Sequence, residues 1–273
     1  MIQLSTFAQR TISTIVLGPL LLWCVVTLHG LEFSLFLALL LAIAGWEWAR
    51  ISGQARIWPQ VEYVVLVVIF FYFSRWLPLE GLLLTGVIWW LSAFYWLRGF
   101  PERNQWLFSP QFKLLSGLMV LIPAWRALEV IHQQQQGVEL LFLLLFLIWS
   151  ADIGAYLVGG RFGKRKLAPN VSPGKSVEGA VGGMVGAVVM GLLAYTATEY
   201  IEMSLSLWLF SVVVVVLFSI VGDLVESAYK RHAGVKDSGN LIPGHGGLMD
   251  RVDSLTAAAP LYLWIFLFSG WVS

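Results

Sequence analysis

Apolar runs alternate with short polar turns along the whole chain, and nine of them approach the ~20 residues that a helix needs to cross a bilayer. They cover residues 11–28, 33–48, 61–77, 82–96, 114–131, 138–158, 177–198, 205–225 and 254–272. The second and fourth are short, which makes the third and fourth candidates for tilting or partial re-entry. The pattern predicts an all-α, polytopic transmembrane helical protein of about nine spans.

Composition supports that class. Of 273 residues, 58% are hydrophobic and 12% charged, with 14 Trp and 17 Phe, and mean hydropathy is +0.78. A soluble domain is excluded. The first run follows Arg10, has the length of a full span and precedes no small-residue cleavage site, so it is expected to be a retained helix. The single cysteine, Cys24, lies inside it and is expected to be a small packing residue; one cysteine forms no intrachain disulfide.

The net charge of +1 is uninformative, but the distribution of charge sets a topology. Alternate turns carry Arg10; Arg50 and Arg56; Arg98, Arg103 and Lys113; Arg161, Lys164, Arg165, Lys166 and Lys175; and Lys230, Arg231, Lys236 and Arg251. Fifteen of the 17 basic residues thus fall on one set of turns, leaving Arg75 and Arg126. The positive-inside rule then puts the N-terminus in the cytoplasm and the C-terminus outside. It also puts the richest polar segments, 161–178 and 227–254, on one cytoplasmic face, where they can form a single site open to soluble nucleotides.

The first half offers little chemistry. Trp46, Glu47, Trp48 and Arg50 read as an interfacial anchor with a neutralised or paired acid. Trp89, Trp90, Trp125 and Arg126 read as belt residues at headgroup depth, and the glutamines at 133–136 as a solvated turn. In the seventh run, Gly182, Gly183, Gly186 and Gly191 read as close helix packing.

The second half is richer. Asp152 lies inside an apolar run with Tyr156 one turn on, and it reads either as a functional group or as a structural acid paired with a neighbouring helix. Gly174-Lys175-Ser176 resembles the end of a P-loop, whose first glycine would fall at Pro169. With no glycine and no preceding strand there, that reading fails. A Gly-Lys-Ser turn feeding a helix N-terminus remains, and free N–H groups with the helix dipole suit it to phosphate. Arg165 and Lys166 read as topology signals. Asp223, Glu226 and Ser227 share a helix face at i, i+3, i+4, with Lys230 one turn further. Asp250 and Asp253 share another if a helix begins near Met249. Across the Pro243-Gly-His-Gly-Gly247 turn, these hard oxygen ligands could hold Mg²⁺ with room for phosphate oxygens; salt bridges at a helix junction are the alternative.

The residues Ser227, Lys230, Arg231, Lys236, Asp237, Gly239, Pro243, His245, Gly246, Gly247, Asp250, Arg251 and Asp253 resemble the signature of the phosphatidate cytidylyltransferases. Tyr229 departs from it locally. Upstream, Asp152-x-Gly-Ala-Tyr156, Gly159-x-x-Phe162-Gly-Lys164 and Ser172-Pro-x-Lys175-Ser176-x-Glu178-Gly179 are also similar. The resemblance covers roughly the C-terminal half. It implies a Mg²⁺-dependent integral membrane enzyme that joins CTP to phosphatidate, with a paired-metal centre on Asp223 and Asp250. The implied partners are CTP, phosphatidate and membrane lipid, with no nucleic acid, and a homodimer.

On that basis residues 1–135 are expected to supply packing, lipid access and dimerisation, and 136–273 the catalytic region with its polar loops at 159–179 and 227–254. Lys230, Arg231, Lys236, Asp237, His245 and Arg251 are expected to be catalytic. Lys164, Ser172, Lys175, Ser176, Ser227, Gly246 and Gly247 are expected to bind substrate, and Asp223, Asp250 and Asp253 metal. The compact chain without a targeting extension points to a bacterial inner membrane. A CTP-dependent polyprenol kinase would use the same groups but needs a general base that no residue clearly supplies. An ion-coupled transporter would use Asp152, Asp223 and Glu226, yet the charges gather at one face and no inverted repeat is visible.

Overall fold

The computed structural model describes residues 6–103, 105–198, 201 and 203–269. Among the described residues nine α-helices follow the apolar runs: α1 (Thr6–Thr27), α2 (Gly30–Ile51), α3 (Ile57–Ser74), α4 (Leu79–Trp96), α5 (Pro110–His132), α6 (Gly137–Phe162), α7 (Val177–Ala197), α8 (Leu205–His232) and α9 (Met249–Phe268). Eight of them, α2 to α9, are long and apolar enough to cross a membrane, while the apolar stretch described in α1, Ser13–Thr27, is shorter. The protein is therefore all-α and multi-pass. Helices α3 and α4 are unbroken, at 18 residues each.

The only strands among the described residues form a small hairpin between α6 and α7. There β1 (Lys166–Ala168) runs antiparallel to β2 (Ser172–Ser176), pairing Lys166 with Ser176 and Ala168 with Ser172. A strand thus does precede Pro169, contrary to the sequence expectation. The P-loop reading still fails, because the chain from Pro169 returns as a second strand instead of wrapping a phosphate.

Helix α5 is the hub, packing on α2, α3, α4, α6 and α9. It is anchored to α2 by polar contacts inside the bundle. Trp48 Nε1 donates to the Lys113 carbonyl at 2.7 Å, and Lys113 Nζ donates to the Ile51 carbonyl at the end of α2, also at 2.7 Å. The lysine thereby satisfies a carbonyl that the helix end leaves free. Trp48, Trp90 and Trp125 are all buried, so these three are core residues and not an interfacial belt. Cys24 is buried and free, as expected.

The two basic residues outside the charge alternation have a local explanation. Arg75 and Arg126 both pair with the buried carboxylate of Glu129, and Ser34 Oγ donates to it at 2.6 Å. Next to them His132 is buried, stacked on Phe33 with ring centroids 3.6 Å apart. A buried acid holds both arginines.

Helices α6 and α7 make the closest helix pair. A Cβ on Gly183 would lie 2.7 Å from the Ala151 carbonyl, and one on Gly186 would lie 2.6 Å from the Ser150 carbonyl. Gly154 and Gly182 likewise face each other's backbone across the same seam. Small residues are what allow this backbone approach. Gly183→Val should lower the thermal midpoint of the detergent-solubilised protein, at a cost of about 1–3 kcal/mol for overpacking. Gly81→Ala, where nothing lies within 4 Å of the added carbon, should leave it unchanged in the same melting experiment.

Candidate active site

The polar end of the bundle is built from three pieces: the hairpin with the start of α7, the end of α8, and the turn leading into α9. Each is shaped by local rules. Ser176 caps α7, its hydroxyl accepting from Gly179 N at 3.0 Å. The Glu178 carboxylate accepts the backbone N–H of Lys164 at 3.0 Å and of Arg165 at 3.1 Å, which ties the hairpin's first strand to the helix start. Helix α8 stops at a Schellman turn, with Val235 N donating to Lys230 O and Gly234 N to Arg231 O while Gly234 takes a φ of 72°. Pro243 and Gly244, the latter at φ 77°, then form a type II turn closed by His245 N donating to Ile242 O at 2.9 Å.

A cavity of about 390 Å³ lies between α6, the hairpin, the start of α7, α8 and the first turns of α9. Asp152, Tyr156, Lys175, Ser176, Asp223 and Ser254 are on its wall. Lys175 Nζ meets Asp223 Oδ2 at 2.5 Å, both side chains about one-third exposed. Ser227 Oγ donates to the other oxygen of Asp223 at 3.2 Å. The cavity thus presents an ammonium, carboxylates and the positive end of α7.

Behind it lies a buried charge cluster. Lys230 Nζ sits 3.0 Å from Glu226 Oε2 and 2.5 Å from Asp250 Oδ1. The three side chains are 10%, 0% and 6% exposed. Asp250 Oδ2 accepts three further bonds, from Gly247 N at 2.8 Å and from Ser238 N and Oγ at 2.9 Å each. Asp253 is buried next to Glu226 and accepts from its neighbour's N–H, Ser254 N, at 2.7 Å. The i, i+3, i+4 face read from the sequence is present, but its two acids diverge: Asp223 turns to Lys175 and Glu226 to Lys230.

The acid of the supposed interfacial anchor belongs to this end too. Glu47, on α2, is 3% exposed. Its Oε2 accepts from Met249 N at 2.7 Å and lies 3.1 Å from Ser238 Oγ. The sequence suggests a neutralised acid or one paired within the anchor; the partners lie about 200 positions on.

The structure brings Lys175, Ser176 and Asp223 together at the cavity, with Ser227 bonded to Asp223, and Lys230 with Asp250 behind it. Other expected residues lie apart. Arg231 donates to the carbonyls of Val171 and Val235, each at 3.3 Å. Arg251 Nη2 donates to the His245 carbonyl at 3.1 Å, and the His245 ring approaches Thr14 on α1, Nε2 to Oγ1 3.4 Å. Lys236 and Asp237 are exposed, as is Lys164, whose bond to Glu178 is made by its backbone. Ser172 opens β2, and Gly246, at φ 86°, leaves the space that Asp250 Oδ2 occupies, 2.6 Å from where a Cβ would be. Asp152 and Glu226, weighed from the sequence but not assigned a role, both belong to the assembly.

Breaking the buried pair should cost far more than breaking the exposed one. Lys230→Met leaves two desolvated carboxylates facing each other and should destabilise the protein by about 3–5 kcal/mol. Lys175→Met removes a partly solvated partner and should cost about 0–1 kcal/mol. Thermal melts of the two variants in one detergent check the difference.

Comparison with known proteins gives the family. The family model described as the cytidylyltransferase family matches residues 8–269. The phosphatidate cytidylyltransferase of Pseudomonas aeruginosa is 40% identical over 265 residues, covering 96% of this chain and 98% of that one. That of Haemophilus influenzae is 35% identical, covering 95% and 98%. That of Bacillus subtilis is 47% identical over 147 residues, about half of each chain (52% and 53%). With similarity running from the first helix to the last, the chain belongs to the cytidylyltransferase family.

Proposed function

We infer that this protein is a membrane-embedded nucleotidyltransferase that transfers the cytidylyl group of CTP to phosphatidate, giving CDP-diacylglycerol and pyrophosphate. The observation that carries the reading at the level of chemistry is the cavity where Lys175, Asp223 and the start of α7 meet. A phosphate oxygen of phosphatidate, already an anion at neutral pH, attacks the α-phosphorus of CTP. The bond from that phosphorus to the oxygen bridging to the β-phosphate breaks, and pyrophosphate leaves with the electron pair. No proton has to be removed from the nucleophile, so the reaction calls for positioning and charge neutralisation.

Lys175 and the α7 N-terminus are placed to hold phosphate oxygens in the cavity, with Ser176 keeping that helix end in register. Lys230 neutralises the acids behind it, and the exposed Lys236, Arg231 and Arg251 add positive charge to the same polar end. His245, seated toward α1 by its contact with Thr14, acts as a structural or phosphate-positioning group and not as a base.

Magnesium is the expected cofactor, and one of its three expected ligands, Asp223, fits it. Asp223 lies on the cavity wall, about one-third exposed, and already holds the ammonium of Lys175, so its oxygens are suited to a hard divalent ion, whereas Asp250 is buried with both oxygens taken by Lys230, Ser238 and Gly247. Asp253 faces Glu226, and among the described residues no three His, Cys, Asp or Glu side chains are arranged around one ion. Bound there, the ion would neutralise phosphate charge during the displacement.

The remaining features of the reading are nine spans with the N-terminus in the cytoplasm, a cavity facing the cytoplasm across the inner membrane, and a homodimer. The basic turns support the orientation, since hairpin and turn both lie at the basic end of the bundle. Residues 1–135 would form the supporting helices and 136–273 the catalytic region.

With purified protein, CTP labelled in the cytidine moiety, short-chain phosphatidate and Mg²⁺, label should appear in lipid and vanish on chelation. Lipid labelled only from the γ-phosphate of CTP, with a polyprenol acceptor, would mean a kinase; no labelled lipid from folded protein would sink the assignment. Asp223→Asn should lower kcat by about 100-fold or more, the scale of losing one electrostatic contact to the reacting phosphates. Near-normal turnover by that variant would remove Asp223 from the site.

A further inference from the structure

Helix α9 begins without a cap of its own. Its N-cap residue, Leu248, has no side chain able to accept, and no side-chain cap bond is made there. The first N–H of the helix, that of Met249, is instead taken by the carboxylate of Glu47 from α2, at 2.7 Å. A carboxylate at a helix N-terminus is favoured both by the free N–H groups and by the dipole, so Glu47 caps α9 across the fold.

The same oxygen is 3.1 Å from Ser238 Oγ, and Ser238 in turn gives its N–H and its hydroxyl to Asp250 Oδ2. Ser238 has one hydroxyl hydrogen for two carboxylates, so it bonds Glu47 or Asp250 at any moment, while its backbone N–H holds Asp250 throughout. The seat is tightly shaped. A Cβ on Gly247 would strike Glu47 Oε2 and Ser238 Oγ, and one on Gly239 would strike Glu47 Oε1. Two glycines of the turn are therefore accounted for by a side chain about 200 residues earlier.

Glu47 is held rigidly. The next residue, Trp48, is buried, bonded to the Lys113 carbonyl and set edge-on against Tyr229 of α8 at 5.4 Å. Tyr229 adjoins Lys230, the partner of Asp250.

We propose that Glu47 is a positioning residue for cytidylyl transfer. From α2 it fixes the start of α9 and the turn at 238–247, and thereby the direction in which Asp250 presents its carboxylate. This rests on the functional reading above. It makes the N-terminal helices part of the active-site frame and not only its support.

The test uses the full-length protein in detergent. In Glu47→Ala, kcat should fall about 10- to 100-fold, the loss of a hydrogen bond to a charged group, with KM for CTP and phosphatidate within about 2-fold. Glu47→Gln, whose amide oxygen can still accept from Met249 N, should recover most of kcat. Independently of turnover, hydrogen–deuterium exchange at the amides of 238–249 should rise in Glu47→Ala and stay near wild type in Glu47→Gln. Unchanged exchange there, unchanged kcat, or a parallel rise in both KM values without loss of kcat would overturn the proposal. If Glu47→Ala yields no folded protein, Ser238→Ala decides, because it removes only the hydroxyl link. It should lower kcat several-fold at constant KM and raise exchange at 247 and 249, and no change in either would be fatal. A wild-type protein that transfers no cytidylyl group would sink the functional reading alone, since the exchange result judges Glu47 without it.

Discussion

The polar end of this protein depends on one ammonium. Lys230 stands between Glu226 and Asp250 with little access to water, where an unpaired charge would be severely penalised. Glu226, Asp250 and the adjacent Asp253 outnumber the one base, and Asp250 is held further by hydrogen bonds from Ser238 and Gly247 in the turn. Helices α8 and α9 and the turn between them are consequently locked into one unit. None of the three charged side chains can move without stranding the others.

Against that fixed wall, the Lys175–Asp223 pair is a different kind of contact. Both partners are about one-third exposed on a cavity wall, and a pair in such surroundings contributes little to stability. It can be exchanged for phosphate oxygens or a divalent ion at small cost. Burial therefore divides the work: the desolvated pair holds the frame, and the hydrated pair is left to change partners. A charge at the polar end is also where CTP, which is soluble, and a lipid phosphate, which is at the interface, can meet.

Glycine serves two separate purposes in this design. Along α6 and α7 it brings two backbones into contact and stiffens the wall that carries Asp152 and the hairpin. In the turn at 238–247 it makes room for carboxylates, with Gly246 facing Asp250 and Gly239 and Gly247 facing Glu47. The positive φ of Gly234, Gly244 and Gly246 reflects conformational need instead.

By itself the sequence determined the class, the helices and the identity of the chemical groups. Apolar runs of bilayer length must form helices, because lipid leaves no other way to satisfy the backbone. The spacing of Asp223, Glu226, Ser227 and Lys230 placed them on one helical turn, and the signature from Ser227 to Asp253 pointed to the family. These are local properties, readable over a few turns of helix. Which acid faces which base was decided only by the tertiary structure, since a side chain chooses its partner from whatever packing brings within about 3 Å. So Asp223 turned outward to a hairpin lysine while Glu226 turned inward, and the belt tryptophans Trp48, Trp90 and Trp125 proved to be core. Glu47 is the clearest case. Nothing near it in the chain announces its role, because the groups it serves come from the other end of the sequence.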